Sequence, residues 1–403
     1  MSSVLPFDIF ALIIDIVGEN EDANLLKELA LVSHSFLQIC SKHLFATVEL
    51  HDAVRKQHIA SSKKGFVKLL KSRPDAVNYI RKLTYKVSHH RSNDEDHLLS
   101  PILLNFLPTL SRLNCLTINA SRRDWNTLDS SLISALLHLM HLPTLNHIDL
   151  SRIQNFPLSC LTPSVNLHRL DISHLRLFNQ HDEDDSHENI VQLGMMPKLR
   201  EFHTSNSSLL TTKLLHAKTQ DGGPAFNIMD LRRLSISLIK FEDGRNVRYL
   251  LQNAKLLEKL RLSVDADRYL VGLLSPSTIT LKVLDLTVTF YDRPLVGLYE
   301  ELEAMAGHNM LESLYFGVEV FGDEPEDDIG SIIQNVEKVL VKPGWPALRH
   351  VSFKVLIELC PASREERAKL SEAIQSLRDK YLSHLPKAES IAFNYSYYYI
   401  GVK

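Results

Sequence analysis

His138 and His141 stand one helical turn apart, a spacing that lets two imidazoles share a metal ion. No acidic or cysteine third ligand follows at a fixed offset. With nineteen histidines in the chain such pairs arise by chance, so this one reads as surface or packing. His187-Glu188 opens like the zinc motif H-E-x-x-H, but the second histidine one turn on is missing. Asp149 and Asp171 fall at matching positions of what read as neighbouring strands, and paired carboxylates can do acid–base work. That work needs a dry pocket to tune them, and an open sheet face offers none. The chain contains no G-x-x-x-x-G-K-[ST] and no G-x-S-x-G. The expectation is therefore a protein without catalytic residues, metal or cofactor. Turnover of general hydrolase substrates would overturn it.

The elements that position these residues share one phrase, L-x-x-L-x-L, clearest at Leu281-Lys282-Val283-Leu284-Asp285-Leu286. Its last three positions alternate as a strand does. With Ile, Val, Phe or Tyr admitted for Leu, copies start at Ile80, Leu113, Leu145, Leu167, Leu199, Leu231, Leu257, Leu281, Leu311, Leu348 and Ala388. A weaker copy starts at Phe45. The copy at Leu199 carries Thr204 where an apolar residue belongs. One such strand cannot bury its own apolar edge, but a stack of them builds a continuous core. Parallel neighbours need a crossover, usually a helix. Ser131 to Met140, Asn246 to Leu256, Pro294 to Met305 and Ile329 to Leu340 have helical periodicity and supply it.

This pattern resembles an irregular leucine-rich-repeat solenoid, although the asparagine that usually follows the strand is missing. The resemblance implies an α/β fold with a parallel sheet on a concave face and helices on a convex one. About eleven repeats are expected over 80–403. The residues flanking each middle leucine then point away from the core, and the row they form is the usual binding surface of a solenoid. Candidate target-binding residues are Asp149, Arg169, Asp171, His203, Arg233, Lys259, Arg261 and Tyr315. The row reads as acidic near Asp149 and Asp171 and basic near Arg233, Lys259 and Arg261.

At the other end, Phe7 to Val17 is apolar but for Asp8 and Asp15, so a helix there must be covered on nearly all sides. Pro6 fits its first turn and Gly18 to Asn20 would stop it. Two short helices follow, from Ala23 to Leu31 and from Ser33 or His34 to His43. A module this small cannot hide the first helix by itself, so the repeats or another protein must cover the excess. Leu5-Pro6-x-x-Ile9, Ile13, Ile16, Leu25, Leu29, Val32-Ser33, Phe36, Cys40 and Leu44-Phe45, in that order, resemble an F-box. The resemblance covers about a tenth of the chain and is most similar to fungal F-box proteins with leucine-rich repeats. It implies docking on the Skp adaptor of a cullin-type ubiquitin ligase through Leu5, Pro6, Ile9, Ile13 and Leu25. Phe36 and Leu29 would instead form the module's own core. The function implied is that of a substrate-recognition subunit, the bond-making belonging to other subunits. The alternative is a leucine-rich-repeat scaffold or inhibitor unrelated to ubiquitination, whose N-terminus is only a cap.

The expected organisation is an F-box-like module over 1–50, a basic linker helix or cap over 51–79, and repeats thereafter. Arg55 to Arg73 carries seven basic residues and no acidic one, and Phe66, Leu69 and Leu70 give it an apolar face. Without interleaved aromatics it reads as a solvated helix rather than a nucleic-acid site. Three acidic loops, 92–96, 181–185 and 323–328, should follow strands on one rim, serving helix starts and solubility or attracting a basic segment. Ser363 to Leu385 reads as a long helix. The alternation from Ile391 to Tyr399, broken at Tyr398, reads as a last strand with an aromatic seal over an open edge.

Bulk composition agrees with these readings. The chain has 403 residues, 44% of them hydrophobic, and a formal net charge of −3. No field of one sign argues for nucleic acid or membrane. Cys40, Cys115, Cys160 and Cys360 form no C-x-x-C pair, which suits a reducing compartment. There is no charged leader before the first apolar stretch and no run of membrane-spanning length, so cytoplasm or nucleus is expected.

Overall fold

A computed structural model describes residues 7–20, 22–51, 63–87, 103–164, 166–177, 198–238, 241–265, 272–274, 279–290, 297–321, 326–359, 364–382, 384–385 and 391–401. Several sequence expectations lie outside them: Leu5, Pro6, the start of the basic stretch at Arg55, His187-Glu188, Cys360, the helix cap at Ser363 and the copy at Ala388. The acidic loops at 92–96 and 181–185 and residues 323–325 of the third lie outside them as well. The chain forms two compact units. The first is Met1–Pro197 with His216–Phe226, and the second is Lys198–Leu215 with Asn227–Lys403. This division falls inside 80–403.

The first unit begins with three helices, α1 (Phe7–Glu19), α2 (Ala23–Ala30) and α3 (His34–Leu44). Asp22 caps α2 by accepting from the Leu25 N–H at 3.0 Å, and Ser33 caps α3 by accepting from Phe36 N–H at 3.2 Å. α1 ends at Glu19, inside the expected stop at Gly18 to Asn20. Gly18 also lies against α3: a Cβ there would run into the His43 ring. His43 and Lys42 reach Asp15 at 2.7 and 2.6 Å and tie α3 to α1.

The chain then enters β1 (Thr47–Leu50), which pairs in parallel with β2 (Lys82–Lys86). These residues fall within the stretch assigned from sequence to the helical module, but they are sheet. Leu50 is wholly buried, and the Arg81 and Lys82 N–H groups donate to Ala46 O. Between the two strands lies α4 (Lys63–Ser72), with Phe66, Val67 and Leu70 buried. Parallel pairing continues through β3 (Cys115–Asp124), β4 (His147–Gln154) and β5 (Arg169–Ser173), with α5 (Ser130–Met140) between β3 and β4.

In register, Leu83, Leu116, Ile148 and Leu170 form one row, and Tyr85, Ile118, Leu150 and Ile172 the next. Ile80, Leu113, Leu145 and Leu167 precede them, and all twelve are buried. Burying one such aliphatic chain is worth about 1.5–3 kcal/mol, and a repeated phrase makes the same contribution at every rung. Leu136, Leu139 and Met140 of α5 are buried as well.

The second unit repeats the scheme. Its strands are β6 (Glu201–Ser205), β7 (Arg233–Leu238), β8 (Lys259–Asp265), β9 (Val283–Phe290), β10 (Ser313–Phe321), β11 (His350–Leu359) and β12 (Ala392–Gly401). Each pairs in parallel with the next. The crossovers include α6 (Ser208–His216), α7 (Phe241–Asn253), α8 (Leu298–Met305), α9 (Glu326–Leu340) and α10 (Arg364–Tyr381). Thr204, the polar misfit, is buried and shares a 2.9 Å hydrogen bond with Thr211 of α6, which satisfies both hydroxyls. Phe316, Phe353 and Phe393 meet in sequence across β10, β11 and β12 at 5.7 and 5.9 Å. The alternation breaks at Tyr398, yet β12 runs on to Gly401, and Lys354 Nζ lies 4.6 Å from the Tyr398 ring. Tyr395 OH donates to Ile374 O of α10.

Among the described residues no helix is long and apolar enough to cross a membrane.

Candidate functional site

The first candidate surface is one side of α1. Phe10, Ile14 and Val17 follow i, i+4, i+7 and turn inward. Phe10 meets Phe36 at 5.4 Å, and Ile14, Leu26 and Cys40 form a core closed by Val17, Leu29, Phe36, Ile39 and Leu44. Ile9, Leu12, Ile13 and Ile16 follow i, i+3, i+4, i+7 on the other side and are 41–61% exposed. Leu25 at the start of α2 is 38% exposed, and Leu31 and Val32 stand out by 87% and 66%. Apolar side chains grouped this way mark surfaces that contact something else. Of the residues named from sequence for this surface, Ile9, Ile13 and Leu25 are on it. Leu12, Leu31 and Val32 were not named, although the helical spacing of Leu12 with Ile9 and Ile16 was there to be read.

The second candidate surface is the polar face of the strands in each unit. In the first unit Lys82, Cys115, His147 and Arg169 share one register row, and Thr84, Thr117, Asp149 and Asp171 the next. Arg169 grips Asp171 through Nε at 3.1 Å and Nη2 at 2.8 Å. His147 Nε2 lies 3.1 Å from the same carboxylate, and His147 Nδ1 3.2 Å from Cys115 Sγ. Burial alone would lower the His147 pKa; the hydrogen bonds to Asp171 and Cys115 overcome it and hold the imidazole at about 9. Asp149 is pushed above the usual carboxylate range by burial and by the Asp171 charge. The expected acidic patch is therefore met by cations, since Arg169 and His147 both reach Asp171.

In the second unit Arg233 pairs with Glu201 at 2.9 Å and Arg261 with Asp285 at 2.6 Å. The expected basic zone is thus tempered by carboxylates of the neighbouring strands. Lys259 is exposed and registers with Arg233, while His203, Arg261 and Tyr315 fall on the next row; Tyr315 is 45% exposed.

A third feature was not read from the sequence. Ser121 and Arg122 in β3, Arg152 in β4 and His174 just after β5 adopt positive φ, and the β3–β4 register slips between Asn119 and Arg123. Arg122, Arg152, His174 and Arg176 are all exposed there. The His174 pKa is lowered by burial first and then by the charges of Arg152, Arg122 and Arg176, which places three cations around it.

His141 Nε2 lies 3.0 Å from Cys160 O, and His138 is exposed. Among the described residues no group of three or more His, Cys, Asp or Glu side chains is placed to hold one metal ion. No protein-family model matches the chain, and no curated protein matches it. The class defined by the coordinates is a repeat-like α/β fold of parallel strands and crossover helices, headed by three short helices.

Proposed function

We propose that the chain is the substrate-recognition subunit of an SCF-type cullin ubiquitin ligase, an F-box module followed by an irregular leucine-rich-repeat solenoid. The observation that carries this reading is the outward stripe of Ile9, Leu12, Ile13 and Ile16 on α1, set beside Leu25 and backed by a core of its own. A helix with one apolar stripe inside and another outside is built to dock, and a Skp-type adaptor is the partner the F-box-like order of residues implies. The polar sheet faces hold a target protein. Tethering the target raises the local concentration of its lysines near the ubiquitin carrier, so the chain needs no chemistry of its own. The exposed Arg122, Arg152 and Arg176 cluster favours a target with an acidic segment.

A second reading is a leucine-rich-repeat scaffold whose helices only cap the stack. It is favoured by β1 following directly after α3 and pairing with β2, so that the helices adjoin the first rung. Affinity purification from cells with and without residues 1–45 separates the two. Loss of adaptor and cullin with retention of other partners is expected for the receptor. An unchanged partner set, with neither adaptor nor cullin in it, would leave the scaffold.

A further inference from the structure

Cys115, His147 and Asp171 lie in line across three adjacent strands. Cys115 opens β3 and His147 opens β4, and in-register pairing sets them side by side. Asp171 lies two residues beyond the register partner of His147 on β5, so its carboxylate meets the imidazole from the far side. The distances are 3.2 Å from Cys115 Sγ to His147 Nδ1 and 3.1 Å from His147 Nε2 to Asp171 Oδ2. Arg169 holds that carboxylate from a third direction. A nucleophile in hydrogen-bond reach of an imidazole that a third group orients is the arrangement of an activated thiol. Cys115 is partly exposed, so a small reagent can reach it.

The surroundings decide which reagent. Acyl transfer needs N–H groups aimed at a developing oxyanion. The Cys115 and His147 N–H groups instead donate to Arg81 O and Asn114 O in the ladder. A peroxide makes a different demand: its leaving oxygen needs a proton. His147, protonated on both nitrogens at neutral pH, presents Nε2–H to Asp171 and Nδ1–H toward the sulfur.

We propose that Cys115 is a peroxide-reactive thiol, with His147 as the proton donor to the leaving oxygen and Asp171 as the residue that positions His147. Once Cys115 has given its proton to solvent, the thiolate attacks one oxygen of hydrogen peroxide, the S–O bond forms and the O–O bond breaks. The departing hydroxide takes the Nδ1 proton of His147 and leaves as water. Sulfur is oxidised by two electrons to a sulfenic acid, and the peroxide is reduced. The charged groups facing the pair are Lys82 on β2, Asp149 on β4, and Arg169 and Asp171 on β5. Cys160 and Cys40 offer a contrast within the same chain, since burial pushes both thiols up. The inference stands whether or not the N-terminal helices dock on a ligase.

The test treats the full-length chain with hydrogen peroxide at pH 7, traps sulfenic acid with dimedone, and follows each cysteine by peptide mass spectrometry. Cys115 is expected to be labelled at least about tenfold faster than Cys160. His147→Asn and Asp171→Asn are each expected to slow Cys115 about tenfold. His147→Lys, which keeps a cation and a proton donor at that place, is expected to recover part of the rate that His147→Asn loses. Equal labelling of Cys115 and Cys160 in the wild type would overturn the proposal whatever the variants do. A Cys115 rate untouched by His147→Asn in a folded variant would overturn it as well.

Discussion

At neutral pH His147 is a cation held between a carboxylate and a thiol, and its charge is part of what keeps β3, β4 and β5 together. Its folded pKa, about 9, lies above the ordinary 6.5. The stabilisation is therefore fully present below pH 6.5 and is lost as pH rises through 9. The urea midpoint of the wild type is expected to fall over that window by more than that of His147→Asn; parallel pH profiles would contradict the assignment. Asp15 behaves in the opposite sense. Hydrogen bonds from Lys42 and then His43 hold its carboxyl below the usual range, so its contribution is present above about pH 4 and lost in acid. The places of Asp149, Arg169 and Asp171 on one face followed from alternation alone. The link from His147 to Cys115 did not, because it depends on register between strands 32 residues apart and on a rotamer. The cationic cluster of Arg122, Arg152 and Arg176 was hidden for a related reason: a register slip and left-handed backbone leave no mark on a period-two pattern.

Among the elements, α1 is the one whose two sides differ most in consequence. Ile13 is 45% exposed and its neighbour Ile14 1%. Ile13→Asp should leave the thermal midpoint nearly unchanged. Ile14→Asp buries an uncompensated charge and should cost at least about 3 kcal/mol, melting the three-helix module. Circular dichroism melts of the two variants check this, and equal melts would contradict the assigned sides. That α1 is apolar nearly all round was plain from composition. Which stripe is inward was not, because the choice belongs to Phe36, Ile39 and Cys40 of α3, whose crossing is permitted by the bare backbone at Gly18. Gly18 shows the same limit: it lies in the stretch that ends the helix, as expected, but that it also admits the His43 ring is visible only once the neighbour is in place.

Within each unit, stability is expected to run along the ladder rather than through one centre. Leu150 is wholly buried in the middle of the first unit. Leu150→Ala should cost about 2–5 kcal/mol. Because each rung touches its neighbours, the loss of amide protection in hydrogen exchange should be greatest in β3, β4 and β5. Uniform loss over the unit would argue for a single cooperative core. The rungs themselves were legible, down to the polar misfit at Thr204, since a phrase that must bury the same three positions each time repeats them. The ends were not. The weak copy at Phe45 is where β1 forms, with Val48 only half-buried, yet it falls inside the expected helical module, and the chain divides after Pro197 rather than there.

The most direct measurement of the proposed role is a calorimetric titration of the purified chain with a purified Skp-type adaptor. The wild type should bind, and Ile9→Asp/Ile13→Asp should not bind while keeping its circular dichroism spectrum and thermal midpoint. Absence of wild-type binding, or equal binding by the double variant, would contradict the receptor assignment.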